Sequence, residues 1–134
     1  MSVAVAHQVS TSSHLALAEA VREASMRQTD LAVLHVVESL DLDIAAANRT
    51  GISDEVERAL DETGLEVPWQ VHLATGEIDT AAAVLDLTRE VNAEILVIGA
   101  RRRSPVGKFL LGSVTQTIIL DADIPVIVVK EILG

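Results

Sequence analysis

The stretch LAVLHVV (residues 31–37) is an almost unbroken apolar run, and a second such run, IPVIVV (residues 124–129), lies near the end of the sequence. Both runs are rich in β-branched side chains. Runs of this length and composition are typical of strands that are buried on both faces, as in a parallel sheet. The two runs therefore predict that the chain is built around a covered sheet.

Three more short apolar runs, residues 3–6, 67–73 and 94–98, predict further strands. The run at 67–73 differs from the others because apolar residues (Val67, Trp69, Val71, Leu73) alternate with more polar ones. Alternation is typical of a strand with one wetter face. We therefore expect this strand at an edge of the sheet.

Helical periodicity fills the segments between the predicted strands. The apolar spacing i, i+3, i+4, i+7 occurs three times, with Ser10–Ser13, Ser53 and Gly76 before the helices and Gly64 as a stop. The periodic positions are Leu17, Ala20, Val21 and Ala24; Val56, Ala59, Leu60 and Thr63; and Ile78, Ala81, Ala82 and Leu85. A last short helix is predicted over 113–120, before Pro125.

Strands and helices thus alternate along the whole chain, which predicts an α/β fold with helices on both sides of a parallel sheet. The length of 134 residues fits a single domain, residues 1–134. One long connection, residues 38–51, is acidic and then rich in alanine. We expect it to be a loop, because no apolar period runs through it.

Composition excludes several classes of function. The formal net charge is −10 and the only aromatic residues are Trp69 and Phe109, so a nucleic-acid partner is not expected. Cysteine is absent, which excludes disulfides and thiol chemistry. No apolar stretch is long enough for a membrane span and the N-terminus does not resemble a signal peptide. We therefore expect a cytoplasmic protein with no membrane partner.

The cations are concentrated in one place. Four of the ten Lys and Arg residues, Arg101, Arg102, Arg103 and Lys108, lie between the predicted fourth strand and a helix start at Gly112-Ser113. Free amides at a helix N-terminus and paired guanidinium groups both favour anions. The stretch therefore predicts an anion or nucleotide-phosphate site; the alternative is a solvated turn whose cations offset an acidic surface.

No catalytic or metal-binding arrangement stands out. The loop after the first strand has no glycine and cannot be a Rossmann or P-loop motif, and no Ser–His–Asp set can be nominated. We expect His7 and His14 to be surface residues and His35 to be a hydrogen-bonded core residue. Asp54, Glu55 and Glu57 are expected to favour the positive end of a helix that begins there. We predict no catalytic residue, no metal site and no efficient catalysis.

The motif Gly99-x-x-Arg102-x9-Gly112-Ser113 resembles the phosphate loop of the universal stress protein family, usually Gly-x-x-Gly-x9-Gly-Ser/Thr. Residues 34–37, 110–114 and 125–129 are similar to other family segments, in the same order and spacing. The resemblance covers essentially the whole chain. It implies a doubly wound, five-stranded parallel sheet of order 3-2-1-4-5, the adenine-nucleotide α-hydrolase-like sandwich.

The resemblance also implies a nucleotide or anion site, with ATP or AMP bound weakly. The implied and expected site residues are Val36, Ile98, Gly99, Arg101, Arg102, Arg103, Gly112, Ser113 and Val114. Family members that bind ATP carry an aspartate after the first strand, where this chain has Ala6 or His7, and a glycine where it has Arg102. These two departures imply a weakened or altered site. Slow ATP hydrolysis is the weakest hypothesis, because no general base stands out and the loop after the first strand is not a pyrophosphate loop.

The family commonly forms dimers through its last strand, and the apolar strand from Pro125 to Val129 would lie at a sheet edge in this order. The resemblance thus implies a homodimeric regulatory or binding module of the stress response. The alternative is a stress protein without a ligand that acts only through protein–protein contacts.

Overall fold

The structure is a computed structural model, and it describes residues 1–7, 13–37, 42–75, 79–102 and 112–132. Five strands alternate with four helices. The strands are β1 (Ser2–His7), β2 (Leu31–Val37), β3 (Trp69–Thr75), β4 (Ala93–Arg102) and β5 (Val126–Ile132). The helices are α1 (Ser13–Arg27), α2 (Leu42–Thr63), α3 (Thr80–Glu90) and α4 (Ser113–Asp121).

All strands are parallel, and their order across the sheet is β3-β2-β1-β4-β5, as the resemblance implies. The chain thus starts at the centre of the sheet, moves to one edge and then crosses to the other. In such open sheets, ligands bind at the carboxyl ends of the strands near the point where the order reverses. Here that point lies between β1 and β4.

The core has two layers because the side chains of each strand alternate between the faces of the sheet. Val3 and Val5 pack with α1 and α2, whereas Ala4 and Ala6 pack with α3 and α4. The two central strands β1 and β2 are nearly free of solvent contact on both faces. This is the burial expected of unbroken apolar runs.

The edge position predicted for β3 is confirmed. Its alternating residues Trp69, Val71 and Leu73 are half-buried against the layer formed by α1 and α2. Gly64 ends α2, as predicted, with a φ of +67° that glycine adopts without strain.

The prediction of a loop over 38–51 is wrong from residue 42 onward, because α2 begins at Leu42 and continues to Thr63. The first half of the helix exposes most of its side chains, and its buried positions, Ile52, Val56 and Ala59, begin only later. Ser53 therefore lies inside the helix and does not cap it. The predicted cap residues at 10–12 lie outside the described residues, as does Gly76. Helix α3 is capped by Asp79, which accepts from the Ala82 amide at 3.1 Å.

Strand β4 is also longer than predicted. It continues to Arg102 because β5 pairs with it along its whole second half, from Leu96 with Val126 to Arg102 with Ile132. Among the described residues, no helix combines the length and apolar character that a bilayer crossing demands.

Candidate nucleotide site

A cavity of about 230 Å³ lies at the carboxyl ends of β1 and β2, beneath α3 and α4. Its walls are mostly aliphatic, and two histidines and a threonine are among the lining residues. The lining residues are Ala6, His7, His35, Val36, Thr80, Val84, Val114 and Ile118. Two of the predicted site residues, Val36 and Val114, thus lie together in this cavity.

The start of α4 lies beside the cavity, because Val114 belongs to the first turn of that helix. Gly112 occupies the N-cap position with extended backbone, and no side chain of the described residues caps the helix. Gly112 and Ser113 are both exposed. The first amides of α4 therefore have no intrahelical acceptor, and this is the arrangement that attracts anions.

None of the other predicted site residues among the described ones lines the cavity. Ile98 is buried in the core at 3% exposure, and Gly99 pairs with Val129 of β5. Arg101 and Arg102 are strand residues that pair with Glu131 and Ile132, and do not belong to a free loop. Arg103 lies outside the described residues.

The two histidines of the cavity belong to a buried polar cluster. His7 and His35 are register partners at the ends of β1 and β2, and they are only 6% and 5% exposed. Their Nδ1 atoms are 3.1 Å apart, and His35 Nδ1 also lies 3.1 Å from the carbonyl oxygen of His7. Glu55 of α2, which is half-buried, makes a short hydrogen bond and ion pair with His7 Nε2.

This cluster confirms one prediction and overturns two. His35 is a hydrogen-bonded core residue, as expected. His7 is not a surface residue, because the adjacent strand and α2 cover it. Glu55 does not open α2, since that helix begins thirteen residues earlier; it reaches across the helix–sheet boundary to His7.

Burial lowers the pKa of His35 below its ordinary value of 6.5, with a smaller lowering from electrostatic repulsion between the two histidine rings. The hydrogen bond to the His7 backbone and the charge of Glu55 act in the opposite direction without overcoming burial. His35 is therefore neutral in the folded protein at neutral pH.

Within the described residues, no group of three or more His, Asp or Glu side chains is placed to hold a metal ion.

The last two residues of β1 point to opposite sides of the sheet. The side chain of His7 lies on the side that α2 covers, whereas that of Ala6 belongs to the same layer as Val84 and Ile118 of the cavity. No acid thus occupies the last two positions of β1.

Several cavity residues were missed in the sequence, among them Thr80, Val84 and Ile118. Each lies one helical turn from a core position. Hydrophobic periodicity therefore predicts only that these helix faces pack on the sheet, and it does not distinguish a position that lines a cavity from one in a fully packed core. The signal that was available is topological: the carboxyl ends of β1 and β2 must lie beside the helix that returns from the sheet edge.

A parallel sheet of order β3-β2-β1-β4-β5, covered by helices on both faces and with a cavity at the carboxyl ends of its central strands, is the architecture of adenine-nucleotide α-hydrolase-like proteins. The model of the universal stress protein family matches residues 1–130. A universal stress protein from Mycolicibacterium smegmatis is 36% identical over 115 residues, which is 86% of either chain. The chain belongs to the universal stress protein family.

Solved structures of the same fold agree with this assignment. A universal stress protein from Archaeoglobus fulgidus has a TM-score of 0.80 at 29% identity, over 97% of this chain and 98% of that one. The structure of the Archaeoglobus fulgidus universal stress protein in complex with dAMP has a TM-score of 0.74 at 26% identity, with the same coverage.

Proposed function

We propose that this universal stress protein is a regulatory module that binds an adenine nucleotide weakly, with the nucleoside in the cavity and the phosphate at the start of α4. The observation that carries this proposal is the cavity itself, which is mostly aliphatic and open beside a helix N-terminus. A relative of the same fold has been solved with dAMP, and this supports the choice of nucleotide.

Size supports this division of the ligand. Ligand cavities usually measure roughly 300–1,000 Å³, and the present one, at about 230 Å³, suits one small ring system better than a whole nucleotide. The phosphate would then lie outside, where the amides of Ser113 and Val114 open α4. Arg101 and Arg102, the last two residues of β4, and Arg103, which follows them in the sequence, would add charge.

Gly112 gives separate support. Its φ of −65° suits any residue, and a Cβ added there would meet no atom of the described residues within 4 Å. The chain itself therefore does not need glycine at this position. Close approach of a ligand to the backbone is a reason for glycine that the fold alone does not supply.

We infer weak binding because the acid expected after β1 is replaced by Ala6 and His7. One hydrogen bond to a charged group contributes about 1.5–3 kcal/mol, so its loss lowers affinity by roughly 10- to 100-fold. Arg102 at the position of a family glycine alters the same site. Efficient catalysis is not part of this proposal, and the cytoplasmic location stays a prediction.

Calorimetric titration with dAMP, AMP, cyclic AMP and Mg-ATP tests the proposal. We expect heat of binding with at least one of them, at micromolar to millimolar concentrations. Val114→Phe, which places a ring at the cavity wall, should remove it. Leu120→Phe on the same helix is the control, because Leu120 is 81% exposed. No heat with any ligand at millimolar concentration would leave the alternative, a stress protein that acts by protein contacts alone.

The same proposal includes a homodimer formed through β5. This strand ends the sheet, and it pairs only with β4 among the described strands. The side chains of residues 126–129 are only half-buried, on both faces of the sheet. An apolar edge of this kind favours pairing with a second copy.

A further inference from the structure

The cluster of Glu55, His7 and His35 has no role in the proposed function, although it lies directly at the cavity. Its members come from three elements, α2, β1 and β2, and both histidines are more than nine-tenths buried. The contacts form a chain: Glu55 Oε2 to His7 Nε2, His7 Nδ1 to His35 Nδ1, and His35 Nδ1 to the His7 carbonyl.

These contacts assign the protons. An ionised carboxylate and a carbonyl only accept hydrogen bonds, so His7 carries its proton on Nε2 and His35 carries its proton on Nδ1. His7 Nδ1 then carries no proton and can accept a hydrogen bond. The N–H of His35 Nδ1 is shared between two acceptors, His7 Nδ1 and the His7 carbonyl oxygen. With one proton on each ring, every contact is satisfied.

An added proton disturbs this arrangement wherever it goes. On His7 Nδ1 it would place two N–H groups face to face across 3.1 Å. On His35 it would leave a charged ring that is almost fully buried, which is costly unless the ring is released to water. Acid therefore opposes the bond that joins the ends of β1 and β2.

The two strand ends are also part of the cavity wall, because His7 and His35 line it together with their neighbours Ala6 and Val36. The His7 ring itself lies on the other face of the sheet, against Glu55 of α2, so the cluster acts on the cavity through the position of the strand ends. The ionisable groups that act on His35 are His7 from β1 and Glu55 from α2. Strand β3 places Leu73 beside it. The cavity residues of the two covering helices are uncharged: Thr80, Val84, Val114 and Ile118.

We propose that Glu55, His7 and His35 make ligand binding proton-linked: the cavity keeps its binding shape while the two rings share this single-proton arrangement, and acidification releases the ligand. Glu55 and His7 act as positioning residues, since they hold the tautomer of His35 and the spacing of two strand ends. This inference rests on the proposed nucleotide site and adds its regulation.

Cyclic AMP is the suitable probe, because its phosphodiester keeps one negative charge between pH 5 and 8, whereas the phosphate of dAMP titrates in that range. We expect its affinity, measured by calorimetry, to fall on acidification by up to about tenfold per pH unit below the pKa of His35. Histidine nitrogen shifts in NMR spectra should show Nε2–H for His7 and Nδ1–H for His35.

The variant His35→Asn places an amide N–H near the position of Nδ1 but cannot titrate, so it should bind with no acid loss. His72→Asn, on β3, is the control and should keep the pH dependence of the wild type. Binding that is independent of pH in the wild type, or a His35→Asn profile that follows the wild type, overturns this inference alone. Reversed tautomers also overturn it, and that measurement needs no variant. No binding at any pH overturns the proposed function and this inference with it.

Discussion

Two glycines, one inside α2 and one directly after it, differ in what their backbones require. Gly51 lies in the exposed middle of the helix, where glycine is a poor helix former, and an added Cβ would meet no atom within 4 Å. We expect Gly51→Ala to raise the free energy of unfolding by about 0.5–1 kcal/mol. Gly64 has equally open surroundings but a φ of +67°, so Gly64→Ala should lower it by about 1–2 kcal/mol. Urea unfolding measures both, and equal effects would refute the assignment to backbone strain.

The lowered pKa of His35 has a second consequence, for stability. Between the ordinary value of 6.5 and the lowered value in the folded chain, the unfolded state binds more protons at this residue than the folded state does. The free energy of unfolding should therefore decrease as the pH falls through this window and then level off for this group. The difference between wild type and His35→Asn, followed by urea unfolding from pH 8 to 5, isolates the effect. A difference that stays constant with pH would contradict it.

Single residues also show where prediction from the sequence stops. The core position of His35 could be predicted because it interrupts an apolar run that must be buried. The roles of His7 and Glu55 could not, because their contact spans 48 positions and depends on how α2 lies over the sheet. A histidine at the end of a strand and a glutamate on a helix have nothing local that marks them as partners.

Strand β3 forms one edge of the sheet, because it pairs only with β2 among the described strands. The Pro68 carbonyl oxygen accepts from the Leu31 amide and so points towards β2. Because the backbone groups of successive strand residues point alternately to the two sides of the strand, those of Val71 point away from β2, at the open edge of the sheet. Arg49 of α2 covers this point, since its guanidinium donates to the Val71 carbonyl at 3.0 Å. A charged side chain over an edge strand opposes pairing with other chains.

We therefore expect Arg49→Ala to form species larger than those of the wild type as concentration rises, because a carbonyl of the β3 edge is uncovered. The effect on the free energy of unfolding should be small, less than about 1 kcal/mol, since the bond is exposed. Arg58→Ala, another exposed arginine of α2, is the control and should behave as the wild type. Sedimentation velocity measures the species; identical distributions for all three proteins would show that Arg49 does not protect the edge.

The lengths of α2 and β4 were not predicted correctly, and each case has a physical reason. The first half of α2 is held by helix-forming residues such as Ala45, Ala46 and Ala47 more than by burial, so it has no apolar period. The second half of β4 is strand because β5 pairs with it. The first case depends on propensity and the second on a distant segment. Hydrophobic periodicity reports neither helix propensity nor pairing with a distant strand.

For the whole molecule, the order of the strands was within reach of the sequence. Alternating strands and helices already required a parallel sheet, and the resemblance of the phosphate-loop motif supplied the order 3-2-1-4-5. The cavity was only partly predicted, through Val36 and Val114, because its shape depends on how α3 and α4 pack over the sheet. Pattern predicts which faces are apolar but not how completely they are filled.

At the same scale, the two edges of the sheet predict the mode of assembly. Arg49 covers β3, whereas β5 lies at the opposite edge with half-buried apolar side chains. The Pro125 carbonyl accepts from the Leu96 amide and so points towards β4. By the same alternation of backbone groups, the amide of Val128 points away from β4, at the open edge of the sheet. That amide is available to the β5 strand of a second copy. A homodimer through β5 would leave both β3 edges outside, each under its own arginine.

Val128→Pro should therefore convert the dimer to a monomer, because proline removes the outward amide while the ladder with β4 remains. Val71→Pro removes an outward amide from the other edge and serves as the matched control, which should stay dimeric. Sedimentation velocity at micromolar concentration measures the mass, and circular dichroism verifies that each variant is folded. A monomeric wild type, or a folded Val128→Pro variant that remains dimeric, would place the contact elsewhere, because an assembly that tolerates proline at this amide cannot depend on pairing along β5.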